Sequence, residues 1–138
     1  MTMRLKKGKY WVGDPCYVYP GKEWSAFCGT LFNGKFEEHV AVYGTKQFFV
    51  TSTAHGDGCY ALLRDGKMVP GELGVDTGLL SIIPQALVRL WDTKKEANRL
   101  GIWVTIDSDC EVTVPRLGVF TFGPYSVNTT GDEDDQEG

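Results

Sequence analysis

Histidine and paired cysteine are what this chain has least of. Only two histidines, His39 and His55, stand in 138 residues. No serine or cysteine lies at a recognisable spacing from either, so a Ser–His or Cys–His nucleophile has no footing here. The four cysteines, Cys16, Cys28, Cys59 and Cys110, contain no C-x-x-C. A structural zinc knuckle is excluded on that ground, and no metal or cofactor is expected. No apolar run approaches the length of a bilayer span, and the stretch from Met1 to Lys6 has no signal-peptide core. The reading is a cytoplasmic protein with no membrane partner, its thiols reduced. The Gly-rich loop His55-Gly56-Asp57-Gly58 lacks the lysine and the following helix of a P-loop, which excludes that kind of nucleotide site. Its backbone N–H groups still suit a phosphate nest.

A strong positive charge is also missing. The formal net charge is -4, and residues 132–138 alone carry five carboxylates. Without them the body is close to neutral. Arg4, Lys6, Lys7 and Lys9 make the opposite end basic. This balance argues against a general nucleic-acid binder. The acidic end reads as a solubilising tail, with a basic partner as the functional alternative.

Glycine is abundant instead: 17 residues spread along the chain, as expected for short strands joined by tight turns. Asn33-Gly34 and Asp65-Gly66 are two-residue hairpin signals. Extended runs are expected at Lys9–Val12, Cys16–Tyr19, His39–Tyr43, Gln47–Thr53, Tyr60–Leu63, Leu73–Val75, Leu79–Ile83, Ile102–Ile106, Cys110–Val114, Leu117–Phe122 and Tyr125–Val127. The run at Leu79–Ile83, apolar but for Ser81, suits a strand buried on both faces. One helix is predicted over Pro84–Leu100, with Pro84 at its first position and Leu87, Leu90, Trp91 and Leu100 on one face. Together these define a mainly β or α+β domain over residues 1–127. The architecture is an antiparallel sandwich or partly closed barrel with that one helix, followed by a disordered acidic tail over residues 128–138.

The chain uses one phrase twice: Gly13-Asp14-Pro15-Cys16-Tyr17 and Gly56-Asp57-Gly58-Cys59-Tyr60. As a paired site, Asp14 and Asp57 would accept hydrogen bonds or ligate, Tyr17 and Tyr60 would stack on a flat ligand, and Cys16 and His55 would stand beside them. As structure, Asp before Pro or Gly makes an Asx-type turn, and Cys-Tyr begins a strand; turn chemistry explains more of the positions. Trp11 and Trp24 crowd the first copy and suit either a core or an aromatic-lined pocket. Asp76, in Val75-Asp76-Thr77-Gly78, adds a third Asp-bearing turn. That segment resembles the active-site triplet of aspartic proteases, in which two such carboxylates share a proton. Leu79 stands where that family has a small residue, and Arg116-Leu117-Gly118 is a poor match to its later segment.

Taken in order, Gly13–Tyr17, Gly56–Tyr60 and Val75–Pro84 resemble a set of small uncharacterised proteins from phages and bacteria. That resemblance implies a compact, phage-type cytosolic protein and brings no mechanism with it. Small proteins of that kind commonly act by binding, here a host defence or regulatory protein or a signalling nucleotide. The expectation is therefore a binding protein that sequesters or inhibits a small molecule or host protein without catalysis. Its candidate ligand-binding residues are Trp11, Asp14, Cys16, Tyr17, Trp24, His55, Asp57, Tyr60 and Asp76. The alternative is an Asp-dependent hydrolase, metal-assisted or aspartic-protease-like. The two diverge on the carboxylates. A hydrolase needs Asp14, Asp57 and Asp76 within about 4–6 Å of one another or of a shared ion, with perturbed pKa values, whereas turns far apart, each capped by its own Asp, rule it out.

Overall fold

The computed structural model describes residues 3–17, 40–43, 46–90 and 99–131, with the side chains of 3–16, 48–88 and 99–131. The expected hairpin at Asn33-Gly34, Trp24 and the segment around it, and residues 132–138 lie outside the described part.

The apolar run that reads as a doubly buried strand is one. Strand β9 (Leu79–Pro84) lies at the centre of a five-stranded antiparallel sheet, with Leu79 to Ile83 all buried. Its neighbours are β2 (Gly8–Gly13) and β4 (Lys46–Ser52), flanked in turn by β10 (Ile102–Ile106) and β3 (Val40–Tyr43). The polar residue within the run is matched: the Ser81 hydroxyl donates to the Gly13 carbonyl at 2.7 Å. An unpaired hydroxyl at this depth would cost about 1–3 kcal/mol.

Period-2 alternation sorts the side chains. Tyr10, Val12, Phe49, Leu80, Ile82, Ile102, Val104 and Ile106 face a second sheet. That sheet has six strands in the order β1, β11, β12, β13, β6, β7. They are β1 (Met3–Leu5), β6 (Leu63–Arg64), β7 (Lys67–Met68), β11 (Cys110–Arg116), β12 (Val119–Phe122) and β13 (Tyr125–Asn128). It contributes Leu5, Val112, Phe120, Phe122 and Val127 to the shared core. Phe49 and Phe120 meet across the gap with ring centroids 5.2 Å apart. Each fully buried Phe contributes about 1.5–3 kcal/mol of transfer free energy. The result is an antiparallel sandwich and not a barrel. A small third sheet pairs β5 (Gly58–Tyr60) with β8 (Leu73–Val75).

On the outer face of the five-stranded sheet lies the helix α1 (Gln85–Leu90), which packs on β2 and β9 through the buried Leu87 and Val88. Trp11 is fully buried on this side. Gly101 makes room for it, since a Cβ there would run into the indole ring.

Several expectations change in detail. Pro84 closes β9 opposite Tyr10, and the helix begins one residue later. Residues 91–98 of the expected helix lie outside the described part, and 99–100 are again helical. Pro115 lies inside β11, where the register with β12 shifts between Thr113 and Arg116; a bulge tolerates its missing donor. Met3–Leu5, within the basic end and outside the expected extended runs, is a strand paired with β11. The expected run Cys16–Tyr19 is not extended at its start: Pro15–Tyr17 is a 3-10 turn, so the two copies of the repeated phrase adopt different conformations. Order also extends past Val127. Asn128 ends β13, and Thr129 is buried, its hydroxyl donating to the Gly118 carbonyl at 2.7 Å.

Candidate functional site

The three Asp-bearing turns converge, and Asp14 joins two of them. Its side chain is 0% exposed. Oδ1 accepts the Cys16 N–H at 3.0 Å, closing an Asx-type turn within the first copy of the phrase. Oδ2 accepts the backbone N–H groups of Asp76 and Thr77, both at 2.8 Å. The Thr77 hydroxyl lies 2.8 Å from Oδ1 and 2.9 Å from Oδ2. Every one of these partners is a donor, the complement of an acceptor-only group. The D-T-G triplet presents the backbone donors of Asp76 and Thr77, and the Thr77 hydroxyl, to Asp14.

The second copy arrives on the same end by another route. Thr53 N–H donates to the Gly78 carbonyl at 2.9 Å, and the Thr53 hydroxyl to the Gly56 carbonyl at 2.8 Å. Tyr60 Oη donates to the Gly56 carbonyl at 2.9 Å, and β5 pairs directly with β8, the strand that leads into Asp76. Tyr60 is thus a turn clamp as well as a half-buried ring.

Cys16 lies in the field of all three carboxylates. Burial first, then the adjacent Asp14 as charge and hydrogen-bond partner, then Asp76 and Asp57, push its thiol far above the ordinary range. A reactive cysteine needs the opposite setting, with cations or a helix N-terminus to hold the thiolate. Asp57, Asp76 and Cys59 are exposed. Among the described residues no three His, Cys, Asp or Glu side chains stand close enough to hold a metal ion.

His55 belongs to a different arrangement. Its Nε2 lies 2.6 Å from the Thr130 carbonyl, and Ala54 N–H donates to the Thr129 hydroxyl at 2.9 Å. These bonds fasten the chain after β13 to the loop between β4 and β5. Trp11 is fully buried and out of reach of any ligand; Tyr17's side chain and Trp24 lie outside the described part. Of the candidates, the fold therefore gathers Asp14, Cys16, Asp57 and Asp76 and sets Tyr60 beside them. It sends His55 to the carboxyl-terminal seam and Trp11 to the interior.

A concave surface lies elsewhere, and none of its lining residues is among the ligand-binding candidates of the sequence. A cleft of about 450 Å³ runs between the outer edge of the six-stranded sheet, β7, and the outer edge of the five-stranded sheet, β10. Its apolar wall is Met68, Val69, Pro70, Trp103 and Val104, and Tyr125 lines it from β13. Its charged side is the β6–β7 hairpin, with Arg64 and Lys67 against the single acidic lining residue Asp65. Asp65 and Gly66 have φ of 52° and 82°, the two positive values of a type I′ turn. Two cations rest on aromatic rings at this place: Arg64 is 5.6 Å from the centre of Tyr125, and Lys9 Nζ is 5.3 Å from that of Trp103. Met68 is 70% exposed, an apolar side chain left open at the rim. Asp-Gly marked the hairpin in the sequence, but nothing local says that it faces Trp103, 38 positions away.

Among the described residues, no helix is long and apolar enough to cross a membrane. No family model, curated protein or solved structure matches this chain.

Proposed function

We propose that this chain is a non-catalytic binding protein of the cytoplasm, of the phage type that the sequence resemblance implies, which sequesters or inhibits a small ligand or a host protein. The observation that carries the reading is the state of Asp14: buried, with both oxygens engaged by four donors from its own chain. A carboxylate so occupied has no lone pair directed at a substrate, a water or a metal, and it holds two loops together instead. Cys16, the nearest nucleophile, is kept as a neutral thiol by its surroundings. What supports binding is the open, cationic and aromatic cleft, since exposed apolar and aromatic groups ringed by charge are what recognition surfaces use.

Native mass spectrometry of the purified full chain tests this directly. A non-covalent adduct that is carried through purification and leaves chemically unchanged is the expected result. Turnover of a phosphodiester or peptide substrate that disappears in Asp76→Asn or Asp57→Asn would reverse the proposal in favour of the hydrolase reading.

A further inference from the structure

We infer that the cleft between β7 and β10 is a site for a nucleotide, a planar ring carrying phosphate; this deepens the binding reading above and rests on it. The volume of about 450 Å³ lies in the range of small-ligand sites rather than of protein grooves. The chemistry of its lining is divided in two. One wall is apolar, built from Val69, Pro70, Val104 and the half-buried Trp103. The other side is the β6–β7 hairpin, where Arg64 and Lys67 outnumber Asp65; Lys9, outside the lining, rests on the Trp103 ring. A chain of formal net charge -4 thus places two cations and a single carboxylate around this cleft.

That division selects the ligand class. An uncharged planar compound would make no use of the charge of the cations, and a free phosphate would leave the apolar wall wet. A nucleotide meets both, with its base on the apolar wall and its phosphate at Arg64, whose planar fork suits phosphate. The cations are already placed. Arg64 over Tyr125 and Lys9 over Trp103 hold extended side chains near the cleft, which lowers the ordering cost of binding. The Tyr125 hydroxyl, 3.4 Å from the Thr105 carbonyl, spans the two sheets beneath this cleft.

Isothermal titration of the full chain with AMP, GMP, CMP and UMP, with the matching nucleosides and inorganic phosphate as controls, tests the inference. At least one nucleotide should saturate with Kd below about 1 mM and bind about tenfold or more tighter than its nucleoside or phosphate alone. The Arg64→Ala/Lys67→Ala pair, on exposed positions, should weaken it by about tenfold or more at unchanged Tm. Met68→Glu, which puts a carboxylate at the rim, should do the same. Saturation by no nucleotide, or equal binding of phosphate alone, overturns the inference. A hexaglutamate peptide that binds with the same sensitivity, where nucleotides do not, overturns it in favour of an acidic protein partner and leaves the binding reading intact. Substrate turnover would remove that reading itself.

Discussion

Four donors from two stretches more than sixty positions apart in the chain converge on Asp14. Replacing one carboxylate oxygen by an amide nitrogen would set N–H against N–H in a fully buried site. Asp14→Asn should therefore lose about 2–4 kcal/mol of stability, read as a lower urea midpoint at constant slope. Asp57→Asn, at an exposed position, should stay within about 0.5 kcal/mol. Equal losses in the two would mean that the repeated phrase acts as a pair, contrary to the structure. Cys16 supplies a pH test. Its thiol is pushed up by burial and by three carboxylates, so the folded state holds that proton more tightly than the unfolded chain does. The resulting stabilisation is fully present below the unfolded thiol range near pH ~8.5 and is lost as pH rises through the folded value. Tm should fall on the alkaline side, and Cys16→Ala should flatten part of that fall. Tyr10 and Cys110, also raised chiefly by burial, contribute to the same alkaline limb. An alkaline limb identical in Cys16→Ala would show that the thiol is not strained by its setting.

Elements that were legible in the sequence are those whose signal is local. The run Leu79–Ile83 predicts a strand covered on both faces because apolar residues at four of its five positions put hydrophobic side chains on both sides. Asp65-Gly66 predicts a hairpin because only such a pair accepts two positive φ values. Alternation in Ile102–Ile106 correctly separates the core-facing residues from Trp103. The first copy of the repeated phrase misleads, because Pro15 removes a donor and tightens the chain into a 3-10 turn where Gly58 permits a strand. The cleft was not legible at all. It depends on which strands end up at the sheet edges, and β7 and β10 acquire those places through pairings far apart in sequence. Trp11 likewise reads as a pocket aromatic until the partner of its ring is known. That partner is the backbone at Gly101, where a side chain would overlap the indole. Gly101→Ala should cost about 1–3 kcal/mol by overpacking, and Trp11→Phe in the same chain should recover part of it. Additive losses, measured by chemical denaturation of the single and double variants, would deny the contact.

At the scale of the whole molecule, charge is unevenly divided. The chain is -4 overall, yet the described cleft is cationic, and Asp132, Glu133, Asp134, Asp135 and Glu137 account for more than the whole negative excess. A chain ending at Gly131 carries a formal +1, so the long-range field met by an approaching anion changes sign. An anionic ligand should then bind more tightly and associate faster in the shortened chain at low ionic strength. The difference should shrink toward zero at about 1 M salt, where the Debye length falls to ~3 Å. Because the Arg64 and Lys67 contacts are short-range, the Arg64→Ala/Lys67→Ala pair should weaken binding by a similar factor in both chains. Stopped-flow association rates over a salt series separate these two effects, since the field acts chiefly on association and the contacts on dissociation. Weaker binding after removal of the acidic residues would mean that they contribute to the ligand's site and do not merely repel it.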